Sequence, residues 1–78
     1  MSGELSRTQR IQISKAADAA SAAKMELDAA VMIFEAACVT GDSALMVKRG
    51  EAVQAAMQNW LDKTASKYEI VRRIAYGI

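Results

Sequence analysis

The chain has no proline, no histidine, a single cysteine and four aromatic residues among its 78, and each shortage removes a class of explanation. Without proline, nothing interrupts a helix from within. Without histidine, the commonest metal ligand and the commonest general base are both missing. Cys38 has no partner for an internal disulfide. With no base beside it and an apolar stripe leading up to it, it reads as a small core residue and not a nucleophile. Neither sign of charge dominates: ten basic and nine acidic residues leave +1, so there is no electrostatic footprint for nucleic acid or anionic lipid. Long hydrophobic runs are absent as well. The longest, Ala29 to Phe34, is far too short to cross a bilayer, and Met1 to Leu5 lack the apolar centre of a signal peptide. Synthesis in the cytoplasm without a cleavable leader is the expectation.

The remaining chemistry is sparse. Glu26 and Asp28 diverge by roughly 200° on a helix, so they do not form an acid–base pair. Lys63, Lys67, Arg72 and Arg73 complement the negative end of a helix dipole. Trp60 and Tyr68 fall where packing, not base stacking, would use them. No catalytic residue, cofactor, metal or small-molecule substrate is expected.

What is present is helical pattern. Ile13, Ala16, Ala20, Ala23, Leu27, Ala30, Phe34 and Ala37 follow one another at alternating spacings of three and four, a single stripe on a helix. A second stripe runs through Met46, Gly50, Val53, Met57, Trp60, Thr64, Lys67, Val71, Ile74 and Ile78, opposite a polar line from Glu51 to Arg73. Between the two lies Val39-Thr40-Gly41-Asp42-Ser43. Here glycine suits a left-handed helix end and Asp42 or Ser43 a new N-cap, while Ser6 or Thr8 suits the first cap. The sequence therefore predicts one all-α domain over 1–78: an antiparallel, coiled-coil-like hairpin with helices at about 9–38 and 43–76 and a short turn near 39–43. At this size, help from self-association is expected.

Folding about residue 41 sets position i against about 81 minus i. Trp60 and Met57 then face Ala20 and Ala23, Gly50 faces Val31, and Leu27 and Val53 complete the seam, large against small. Gly50 inside a helix costs about 1 kcal/mol relative to alanine, which suggests a close crossing or a kink. Ala29 to Phe34 is apolar nearly all round, more than one partner helix can cover. Val31, Met32, Ile33 and Phe34, with Tyr68, Ile74, Tyr76 and Ile78 toward the other end, are accordingly the expected surface for self-association or a protein partner.

The segment Gly41-Asp42-Ser43-Ala44-Leu45-Met46 resembles the Ser-Asp-Pro-Ala-Leu-Leu turn and helix start of the needle subunits of bacterial type III secretion systems, and the likeness continues loosely to Ile78. The resemblance implies a subunit exported to the cell surface and stacked into a hollow tube, its second helix facing a lumen lined by Asp62, Glu69 and Arg73. A small cytoplasmic dimeric adaptor, secretion co-chaperone or phage-type inhibitor, gripping one target protein through Val31, Met32 and Ile33, accounts for the same residues. Both readings are non-catalytic, and both need a protein partner.

Overall fold

The structure, a computed structural model, describes residues 5–77. It is an antiparallel helical hairpin of two equal elements, α1 (Arg7–Thr40) and α2 (Ser43–Tyr76), each 34 residues long. The described residues contain no strand. The molecule is a narrow rod of 61 × 18 × 13 Å, as two helices of about 51 Å laid side by side require.

Local chemistry sets the ends of both helices. Ser6 caps α1 through a reciprocal capping box: its Oγ accepts from the Gln9 amide at 3.1 Å, and its own amide donates to Gln9 Oε1 at 2.9 Å. Two free amides are thereby satisfied. At the other end Gly41 takes φ 75°, a conformation that costs a side chain about 1–2 kcal/mol, and its amide donates to the Cys38 carbonyl at 3.3 Å. The Thr40 hydroxyl donates to the Ala37 carbonyl at 2.7 Å, satisfying another orphan acceptor of the last turn. Asp42 then opens α2, its Oδ1 accepting from the Leu45 amide at 3.2 Å. The connection is therefore only Gly41 and Asp42. α1 runs two residues beyond the expected 9–38 at each end, because Ser6 and not Thr8 caps it and because Thr40 secures its own turn.

The deepest positions of the seam are mostly small residues. Ala20, Ala23, Leu27 and Ala37 of α1 are buried, and Ile13, Ala16, Ala30, Val31 and Phe34 are half-buried beside them. α2 contributes half-buried Met46, Arg49, Gly50, Val53, Ala56, Trp60, Thr64, Lys67, Ile70 and Ile74, but no fully buried residue. A two-helix layer leaves every side chain some access to water unless it is short enough to hide beneath its neighbours, and alanine is.

Five expectations change. Phe34, on the α1 stripe but also counted among the association residues, is in the seam: its Cε1 and Cδ1 lie 3.4 and 3.8 Å from where a methyl on Gly50 would stand. Gly50 therefore faces the Phe34 ring and not Val31, because a long side chain on a helix leans toward the N-terminus and carries its ring about a turn back. α2 runs through Gly50 without interruption, and a methyl there would stand at ordinary contact distance from the ring, so this glycine marks neither a break nor a crossing too tight for alanine. Met57 stands 46% exposed on the flank, since Ala56, one position and about 100° before it, takes the covered place. Ile74 is half-buried on the seam side, not on a free face. Cys38 is exposed, because Ala37 takes the buried position and the next residue is turned about 100° away.

Candidate functional site

The surface most in need of an explanation is the outside of α1. Moving the seam stripe from Ala20 to Ala37 on by two positions gives Ala22, Met25, Ala29, Met32, Ala36 and Val39, a second apolar line at the same alternating spacing. Two positions are about 200° of rotation, so this line points away from α2. All six are exposed, Met25 and Met32 at 72% each and Val39 at 87%. Large and small side chains alternate along it, and Ile33 adds to its edge, 51% exposed. Lys24 and Asp28, paired at 2.7 Å, and Glu35 form the charged border.

α2 carries a corresponding line on a different side. Moving its seam residues on by one position, about 100°, gives Leu61, Ala65, Tyr68 and Ala75, with Arg72 between the last two. Tyr68 and Tyr76 stand 69% and 75% exposed. They wall an open groove of about 520 Å³ whose lining also includes Ala65, Glu69, Val71, Arg72 and Ala75. Glu69 sits at its margin, 3.2 Å from Arg72 Nη2 and 3.1 Å from Arg73 Nε. The hydrogen bond and charge of Arg72, reinforced by Arg73, hold the Glu69 carboxyl below its ordinary pKa. Lys67 Nζ lies 5.8 Å from the centre of the Tyr68 ring, a cation over an aromatic face.

Charge is partitioned along the rod. Over 5–23 and 60–77, the open half, Arg7, Arg10, Lys15, Lys63, Lys67, Arg72 and Arg73 outnumber Asp18, Asp62 and Glu69, seven to three. Over 24–59, the turn half, Lys24, Lys48 and Arg49 are outnumbered by Glu26, Asp28, Glu35, Asp42 and Glu51, three to five. A net charge near zero thus conceals a basic end and an acidic end.

No family model matches the chain, and comparison with curated proteins and with solved structures finds no match. The surface must speak for itself. Of the expected association residues, Met32, Ile33, Tyr68 and Tyr76 are exposed, Val31 is half-buried at the seam edge, Phe34 and Ile74 are taken by the seam, and Ile78 lies outside the described residues. Ala20, Ala23, Leu27, Gly50, Val53 and Trp60 lie in the seam, and Met57 beside it. The exposed residues form two separate lines, one at the turn half of α1 and one at the open half of α2. Met25, Val39, Leu61 and Ala65 were missed. The signal that finds them is the same three–four spacing begun two residues later on α1 and one later on α2. No helix among the described residues is long and apolar enough to cross a membrane.

Proposed function

We propose that this chain is a non-catalytic, self-assembling structural protein, a helical-hairpin subunit of a secretion-needle-like filament. The observation that carries the reading is the apolar line on the far side of α1: Met25, Met32 and Val39 stand almost bare in a molecule whose own buried residues are three alanines and a leucine. A monomer would expose that line with nothing to gain from it, whereas repeated copies bury it at every contact. Two lines facing different directions, one on each helix, suit a subunit that touches more than one neighbour. The turn sequence's likeness to needle subunits supports the same reading.

The Met-rich character of the α1 line also favours the second reading, an adaptor, because unbranched thioether side chains repack against varied partners. Sedimentation velocity of the purified chain over a hundredfold concentration range, followed by negative-stain microscopy, separates the two. An open-ended series of sizes with filaments is expected. A single closed dimer would favour the adaptor, and a monomer throughout would refute self-assembly.

A further inference from the structure

Resting on that self-assembly reading, we infer that the contact between copies is heterologous: the Met25–Met32 ridge on α1 of one hairpin seats in the Tyr68–Tyr76 groove on α2 of the next. The occupant of the groove is thus a second copy of this chain, offset along the rod so that its turn half overlaps its neighbour's open half.

Three observations lead there. The first is charge. The α1 segment from Ala22 to Val39 carries Lys24 against Glu26, Asp28 and Glu35, and the α2 segment from Leu61 to Tyr76 carries four cations against Asp62 and Glu69. A two-fold pairing of the α1 line with itself would bring the Asp28 and Glu35 borders together, like against like. Pairing it with the α2 line instead sets a segment of three carboxylates and one cation against one of four cations and two carboxylates, opposite net charges across an apolar contact, where they choose partner and register.

The second is shape. Met25, Met32 and Val39 recur every seven residues with alanines between, while on α2 Tyr68 stands seven residues after Leu61 and eight before Tyr76, with Ala65 and Ala75 in the gaps. Large residues alternating with small ones at such similar spacings let those of one line drop between those of the other. The groove is apolar, walled by two aromatic rings and open to solvent, a setting in which a flexible methionine gains sulfur–aromatic contacts.

The third is direction. The α1 line is turned about 200° from the seam and the α2 line about 100°, so one neighbour cannot cover both lines of the same hairpin. Each copy therefore gives its ridge to one neighbour and its groove to another, an arrangement that does not close on itself as a two-fold dimer does.

The test exploits that asymmetry. Met32→Glu places a carboxylate on the ridge and Tyr68→Glu places one in the groove, both at exposed positions, so each variant should keep wild-type helicity by circular dichroism. At concentrations where the wild-type chain assembles, each variant alone should sediment as a monomer. Mixed one to one, they retain one intact ridge and one intact groove between them and should form a discrete heterodimer of about twice the 8.4 kDa chain. If a variant loses helicity, Met25→Glu and Tyr76→Glu probe the same ridge and groove. A mixture that stays monomeric, or single variants that assemble like wild type, would overturn the ridge-in-groove contact while leaving self-assembly standing. A wild-type chain that never assembles would remove both.

Discussion

Replacing Gly50 with alanine asks a sharp question of the seam. Gly50 lies within α2 with ordinary helical backbone, since the glycines of positive φ are Gly41 and Gly77. A methyl there would meet only the Phe34 ring, at 3.4 and 3.8 Å, which is ordinary van der Waals contact. Alanine in place of a mid-helix glycine is worth about 1 kcal/mol in helix propensity, and it restricts the unfolded chain besides. No steric loss offsets this gain, so Gly50→Ala should stabilise the hairpin by about 1 kcal/mol. For a chain of this size that is a rise of about 4–8 °C in Tm. Gly50→Leu has no such room: its branched end would overlap the ring and should cost about 1–3 kcal/mol. Thermal unfolding followed by circular dichroism reads both, at one fixed protein concentration because assembly shifts the midpoint by mass action. A fall in Tm for the alanine variant would mean that the helices approach more closely at Gly50 than described, and would refute the reasoning.

Three further outcomes follow from named contacts. Asp42→Ala removes the acceptor for the Leu45 amide and should cost about 0.5–2 kcal/mol in a denaturant titration, with Asp42→Asn recovering most of it; equal losses for the two would deny the cap its role. Ala23, 3% exposed, has no space for a longer side chain, so Ala23→Leu should destabilise by about 1–3 kcal/mol, and a neutral result would mean that the seam is loosely packed. Glu69 should titrate below ordinary glutamates in carbon-detected NMR, and Arg72→Gln should return it toward its usual value because Arg72 is the main cause of the shift. Since the folded-state pKa is the lower one, the contribution of this cluster is complete above the unfolded value and is lost as pH falls through the folded one.

The hairpin was legible because its information is local. Serine before a helix, glycine–aspartate between two helices and an unbroken three–four stripe each act within a turn or two of chain, and Ser6, Gly41 and Asp42 stand where those rules put them. Side-chain reach was less legible. Phe34 stood both on the α1 stripe and, because the run Ala29 to Phe34 is apolar nearly all round, among the association residues; the stripe was the better guide, since one position of helix is about 100°, enough to turn its ring onto Gly50 and away from the face of Ile33. Met57 slipped to the flank for a related reason: Ala56, one position and about 100° away, takes the covered place. The association surface was half seen. The apolar ring at Ala29 to Phe34 signalled a second partner, but attention to that short cluster hid the longer line from Ala22 to Val39, which only the knowledge of which face is already occupied isolates.

The two-residue connection also orders events in time. Phe34 and Gly50 enclose a loop of about fifteen residues, whereas pairing the start of α1 with the end of α2 encloses nearly the whole chain, and ring closure grows more costly with length. The seam therefore zips from the turn outward and opens in reverse, so amides near Ile13 and Ile70 should exchange with deuterium sooner than those near Leu27 and Val53. The groove between Tyr68 and Tyr76 lies on the half that opens first. A neighbour seated there would clamp the loosest part of the rod, so that each added copy slows the fraying of the one before it.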